Sequence, residues 1–497
     1  MTKQITKHFM AFFLSLLMAV SMGLTAFAEG TTYTLTLTGT ASGHTYEAYQ
    51  IFTGDLSTNT EGKKVLSNVE WGTGVTYTGT EKKSAADVAK ALGDGTMTIA
   101  QLEDNLTLTT PVKTVTSSKG NTNIEGLAAG YYLVKDKDGT QKDTSDAYTT
   151  FIVQVVGNTE AAIKSGVPTV EKKVKDTNDS TGETSGWQDS ADYDIGDEVP
   201  YQVTGTMPAN IADYTSYKYV FTDTMSKGLT YTTDNAMITI GNTNVTGSFT
   251  ENVTKNDGGS TTVTWTCNDL KGIKGVNLDA NTKVVVSYTA TLNKDAVIGA
   301  EGNPNTVNLT YSKNPNKGGE GETGTTPDDK NIVFTYKTVV NKVDQNKDSL
   351  KGAGFTLQKK VKKEDGTTTE YKEVKSFTAG EDTTFTFSGL DDGDYKLIES
   401  TTPAGYNTIA PIEFTISATH DETSDDPKLT ELSVKVTTGE ATLTADKDAG
   451  SLTTDIVNQK GSTLPSTGGI GTTIFYVAGC AMVVLAGVMI TARKKAN

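Results

Sequence analysis

Cysteine and histidine are nearly missing from this 497-residue chain, which holds two of the first and three of the second. Cys480 falls inside an apolar run close to the C-terminus, so the remainder carries the single thiol of Cys267 and forms no intrachain disulfide. His8 lies in an apolar N-terminal segment, which leaves His44 and His420; no His/Cys cluster has zinc spacing, and no Ser/His/Asp set stands out. Asp344, Asn346 and Asp348 match the opening of an EF-hand loop, but position six lacks glycine and Phe355 occupies the twelfth position, where a bidentate Glu belongs. That segment reads as a hairpin turn. No metal and no cofactor are expected, and a conventional enzyme is disfavoured. Basic residues are short as well: 44 Lys and Arg face 60 Asp and Glu, for a net charge of −16 without a basic stripe. Nucleic acid and anionic lipid are excluded as partners on that ground.

What the chain does have is Thr, Gly, Tyr and Val in short alternating runs, with few helical patterns. The fold class expected is all-β, in tandem immunoglobulin-like sandwiches. The divisions are an N-terminal β-rich domain over 29–163, a middle domain over 164–330 and a last domain over 331–461. In the last, alternating strands are predicted at 332–343, 354–358, 383–387, 393–398, 412–416, 432–436 and 453–457. In the first, strands are predicted at 34–38, 46–52, 131–134 and 150–156, with a short helix near 84–92.

The two ends carry addressing signals. Lys3 and Lys7 precede an apolar core over 9–20, and Ala26-Phe27-Ala28 has the small-x-small form of a signal-peptidase site, so 1–28 reads as a signal peptide and the mature protein as starting at Glu29. At the other end Leu464-Pro465-Ser466-Thr467-Gly468 is followed by an apolar run over 470–490, long enough to span a bilayer, and by Arg493-Lys494-Lys495. Together, 464–468 and 470–497 resemble the LPxTG-type sorting signal of Gram-positive surface proteins. The resemblance implies cleavage by sortase between Thr467 and Gly468, capture of the chain as a thioester, and transfer of Thr467 to an amine.

Three segments of the last domain extend the resemblance. Val340-Asn341-Lys342-Val343-Asp344 with 350–355 resembles the opening strands of a CNA-B-type domain. The stretch from Tyr395 through Glu399 to Tyr406 is similar to the pilin E-box, and Ile456-Val457-Asn458-Gln459-Lys460 to the closing strand. Members of that family form a spontaneous Lys–Asn isopeptide bond, which implies Lys342 and Asn458 as the joined pair and Glu399 as the acid. Burial strips the proton from a lysine and keeps a carboxyl neutral, so these residue types suit the chemistry. The middle domain resembles the central domain of Gram-positive major backbone pilins through Val167–Asp176, Ile195–Tyr201, Tyr219–Leu229 and Asn305–Pro315. There the resemblance implies Lys172 and Asn305, with Asp223 as the acid. Lys173 points the other way, because Val170 and Val174 share a face with Lys172. In the first domain Gly130–Asp136 is similar to the E-box strand, but Lys135 stands about where the acid belongs and the first strands lack lysine, so no bond is expected.

Backbone pilins polymerise through a lysine at the end of the first domain, often in Tyr-Pro-Lys. Lys164 stands at that junction without the Tyr-Pro. The function implied is the major subunit of a covalent, sortase-assembled pilus, itself no enzyme. Its partners would be identical subunits joined head to tail, other pilins, pilus-specific and housekeeping sortases and peptidoglycan, with a host or microbial surface as the ligand. A wall-anchored, non-polymerising adhesin that binds a matrix protein is the alternative. Either reading places the protein at the cell surface, covalently attached to the wall after a transient membrane stage.

Overall fold

The computed structural model describes residues 30–461 except 60–61, 82, 142–145, 164–165, 320 and 364–365. The expected signal peptide, sorting motif and membrane span fall outside the described residues. Within them, no helix is long and apolar enough to cross a membrane.

Alternation of apolar and polar side chains sets two faces on each strand, and the apolar faces close on one another as sandwiches. In the first domain β1 (Tyr33–Thr40) pairs in parallel with Thr159–Ala162 and antiparallel with Gly120–Leu127. Against this sheet lies another that contains β2 (Thr45–Thr58), β3 (Gly130–Asp136) and β4 (Thr150–Val155). Leu35, Leu37, Tyr46, Ile124 and Val134 fill the space between. Helix α1 (Ala85–Gly93) is capped by Ser84, whose hydroxyl accepts from Asp87 N, and buries Val88 and Leu92 against Ile51 and Leu133.

The middle domain is the largest sandwich. One sheet contains β5 (Val170–Val174), then β7 (Glu198–Thr206) and β10 (Lys283–Leu292) beside it; β7 alternates buried and half-buried positions over almost its whole length. The other runs β6 (Ser190–Asp192), β12 (Asp329–Phe334), β11 (Asn303–Ser312), β8 (Tyr219–Met225) and β9 (Thr261–Cys267). Tyr219, Phe221, Trp265, Val286 and Leu309 lie in the common core.

The last domain packs β15 (Thr384–Leu390), β13 (Tyr336–Asp344) and β19 (Ser451–Asn458) against β14 (Gly354–Lys362), β16 (Gly393–Thr401), β17 (Ile412–His420) and β18 (Leu429–Thr438). First and last strands of this unit are neighbours and parallel, with Lys342 opposite Ile456 and Asp344 opposite Asn458. The strand expected over 332–343 is two strands. Residues up to Phe334 pair with the middle domain through β11 and β6, and the next strand starts at Tyr336. Two further strands, Thr369–Phe377 and Leu443–Asp446, went unpredicted. Thr369–Phe377 is an edge strand with nearly every residue exposed or half-exposed, so no apolar alternation marks it. The Asp344 segment is a tight turn: Asp344 Oδ1 accepts from Asn346 N at 2.8 Å and Asp348 N at 3.0 Å.

Candidate functional site

Two clusters of lysine, acid and carboxamide lie inside the last and middle domains. In the last domain, Lys342 on β13 and Asn458 on β19 come from adjacent strands of one sheet, and Glu399 on β16 reaches across from the other. All three side chains are buried. Lys342 Nζ donates to Asn458 Oδ1 at 2.5 Å and to the Ile456 carbonyl at 2.9 Å, and lies 3.8 Å from Glu399 Oε1. Asn458 Nδ2 donates to that same Glu399 Oε1 at 2.9 Å. The second oxygen, Oε2, accepts from Thr402 Oγ1 and from Ile409 N. Burial pulls the Lys342 amine down to about 8, against the opposing charge of Glu399. Near neutrality an appreciable share of the amine is unprotonated and nucleophilic. The atom that would leave in such an attack, Nδ2, already touches the Glu399 carboxyl.

The middle cluster bridges the two sheets. Lys172 projects from β5, while Asp223 on β8 and Asn305 on β11 share a face of the facing sheet, where Asp223 is opposite Val307 and Asn305 opposite Met225. All three are fully buried. Lys172 Nζ contacts Asp223 Oδ2 directly and donates to Tyr288 Oη at 2.7 Å. Tyr288 in turn donates to Asp223 Oδ2 at 2.9 Å and accepts from Asn305 Nδ2 at 2.9 Å. Tyr201 and Tyr288 stack on each other and flank the amine, with ring centroids 5.0 and 5.1 Å from Nζ. Burial lowers the Lys172 amine and raises the Asp223 carboxyl, each against the pull of its partner, so both move toward their neutral forms. Lys173, the neighbour, turns outward to Asp189 at 2.7 Å.

Tyr288 is a member of this cluster that sequence reading missed. Its only prior signal was a tyrosine on the apolar phase of a strand, which is also what an ordinary core tyrosine looks like. The first domain holds no comparable set among the described residues. Lys135 is buried on β3 and lies 3.5 Å from Asp138, while the fully buried acid of that strand is the next residue, Asp136. Asp136 accepts from Thr149 N at 2.7 Å and pairs with His44 Nδ1 at 2.8 Å. His44 was another residue with no marker in the sequence. Lys164, Thr467 and Gly468 lie outside the described residues.

Comparison with known proteins supplies the setting. Residues 195–315 match the Gram-positive pilin backbone subunit 2, Cna-B-like domain; 337–428 match a prealbumin-like fold domain; and 456–497 match the LPXTG cell wall anchor motif. The chain is therefore a wall-anchored surface protein of tandem pilin-type β-domains. The first of these models describes a domain of Gram-positive backbone pilins, which this chain resembles. A trypsin-resistant surface T6 protein of Streptococcus pyogenes serotype M6 is 27% identical over 409 residues, 68% of this chain and 71% of the relative. The solved T6 backbone pilin, described as a modular three-domain structure, shares the fold at TM-score 0.52 and 19% identity over 88% of this chain and all of that one. The full-length major pilin SpaD of Corynebacterium diphtheriae aligns at TM-score 0.48, with 19% identity over 88% of this chain and 100% of that one.

Proposed function

We propose that the chain is the shaft subunit of a sortase-built pilus, linked Thr467 to Lys164 and stiffened by Lys342–Asn458 and Lys172–Asn305 bonds. The observation that supports the internal bonds is the burial of amine, acid and carboxamide together: Lys342 Nζ touches Asn458 Oδ1 in one core, and Tyr288 links Asn305 to the Lys172–Asp223 pair in the other. In each, lysine Nζ attacks asparagine Cγ, a new C–N bond forms, and the bond to Nδ2 breaks. The proton that the amine loses passes through the acid (Glu399, or Asp223 with Tyr288) to Nδ2, which departs as ammonia. The acid ends as it began. This chemistry happens once per site and on the chain itself, so the protein acts as a substrate of sortase and not as an enzyme.

The exported chain is expected to weigh about 34 Da less than its sequence mass, since each bond expels one ammonia of about 17 Da. Intact-mass spectrometry reads this directly, and the full sequence mass would reject both bonds.

Polymerisation has its own test. In the sequence Lys164 falls between the first and middle domains, and segments between domains are where an enzyme cleft commonly reaches a side chain. An ordinary lysine is protonated near neutral pH, so the pilus-specific sortase supplies the site that deprotonates it. Lys164→Ala should collapse the SDS-resistant ladder of cell-wall extracts to monomer while Thr467 still joins the wall through the housekeeping sortase. Lys172→Ala should keep the ladder. If Lys164→Ala leaves the ladder intact, the linkage lies at another lysine; a wild type without any ladder under pilus-expressing conditions would instead be a lone adhesin. The ligand that the fibre touches would be a host or microbial surface.

A further inference from the structure

Strand β5 lies at the edge of its sheet, with β7 on one side only. Lys172 is opposite Val203 of β7, yet its own N–H and C=O are turned away from that strand. An edge leaves such groups without a strand partner, and Lys172 is fully buried, so something in the core must meet them. Two side chains of β12 do. Lys172 N donates to Asp329 Oδ2 at 2.5 Å, and the Lys172 carbonyl accepts from Asn331 Nδ2 at 2.9 Å. Two residues on, Val174 exchanges hydrogen bonds with the backbone of Gln188 at 2.8 and 2.9 Å. At the lysine the partners are side chains.

This grip stands in register with the reacting groups. In the facing sheet Asp329, Val307 and Asp223 are opposite one another on β12, β11 and β8, and Asn331, Asn305 and Met225 form the next row. Residues two apart on a strand share a face, so both rows look inward. The Lys172 main chain is therefore held over β12, its Nζ ends on Asp223 of β8, and Asn305 lies on the strand between. Asn331 is a second carboxamide, fully buried in the same core. Its Nδ2 is engaged by the Lys172 carbonyl, at the root of the lysine rather than at its tip.

We propose that Asp329 and Asn331 are positioning residues for the Lys172–Asn305 bond: they grip the lysine main chain, aim its amine across β11, and select Asn305 over Asn331 as the carboxamide attacked. This rests on the bond proposed for the middle domain. The step itself is unchanged: Nζ joins Cγ of Asn305, the bond from Cγ to Nδ2 breaks, and ammonia leaves. A misplacement of about 1 Å can cost about 10²-fold in rate, so a fixed root is worth as much as a well-placed acid. Both gripping residues follow Lys172 and Asn305 in the chain, on the strand that leads to the last domain. The amine is thus aimed only once β12 has docked.

The test follows intact mass with time in the full-length chain, freshly made without sortase. In Asn331→Leu and in Asp329→Leu the last-domain bond should form as in the wild type, with prompt loss of one ammonia of about 17 Da. The second ammonia should leave at least about tenfold more slowly, from a chain whose circular dichroism spectrum is native. Asp329→Asn keeps an oxygen for the Lys172 N–H but drops the charge, which pulls the amine toward its protonated form. It should react as fast as the wild type. Prompt loss of both ammonias in the two Leu variants, slowing that only tracks a lost native spectrum, or Asp329→Asn as slow as Asp329→Leu would each overturn the assignment. So would a Lys172–Asn331 peptide in digests of the wild type. A wild type without any Lys172 cross-link would instead overturn the bond itself, and the positioning role with it.

Discussion

Glu399→Ala should leave Lys342 and Asn458 unjoined, raise the intact mass by about 17 Da beyond the substitution itself, and lower the melting midpoint of the last domain by about 15–20 °C. The size follows from chain entropy. The proposed bond would close a loop of 116 residues, and removing such a closure costs about 5 kcal/mol in the chain-entropy account. For a domain of this length the unfolding entropy turns that into the stated shift. The variant should also gain a pH dependence that the joined protein lacks. An unreacted Lys342 has its folded pKa near or below about 8, against about 10.4 in the unfolded chain. The unfolded state then binds more protons between those values, so stability climbs with pH across that window and is lowest below it. Thermal scans from pH 7 to 10.5 check this. A Lys342–Asn458 cross-linked peptide in digests of the variant would refute the role of Glu399.

Asp223→Ala should be harsher. It removes the acid proposed to drive the Lys172–Asn305 reaction and also strands an amine in a fully buried place. Losing the loop closure costs about 5 kcal/mol, and a buried polar group left short of a partner about 1–3 kcal/mol more. Total domain stabilities are only about 5–15 kcal/mol. The middle domain of this variant should therefore be cut by trypsin at 37 °C under conditions in which the wild type resists. Adding Lys172→Met removes the stranded amine and should restore part of the resistance, but not the bond. Full resistance in the single variant would show that Asp223 does neither job.

The order of strands and the partnership of their residues were legible to different degrees. Strands with one apolar face, such as Ile412–His420, stood out by alternation, while the exposed edge strand Thr369–Phe377 had no such pattern to show. The lysines and asparagines of both clusters could be picked because their motifs are local and short. Tyr288 could not. Its role depends on where β10 places it relative to Lys172, more than a hundred residues earlier, and nothing near it in sequence encodes that. The contacts of Lys359 with Asp194 and Asp391 were invisible for the same reason, since the three are brought together only by the docking of the middle and last domains. The parsing of 332–343 as one strand failed at Thr335, a buried residue whose neighbours on either side are equally apolar, so composition there marks no boundary.

The parallel pairing of β13 with β19 has a consequence for a fibre under load. A pull on the subunit enters the last domain near Tyr336 and leaves past Asn458, and between parallel neighbours it acts as shear on their hydrogen bonds. Were Lys342 joined to Asn458 as proposed, tension would cross from one strand to the other through a covalent amide a few residues after it enters. The residues between would then lie in a slack branch that carries no force, and the domain could not be drawn out as a spring. Stretch is then left to the short segments outside the loop and to the domain junctions, where the shaft would bend before it lengthens.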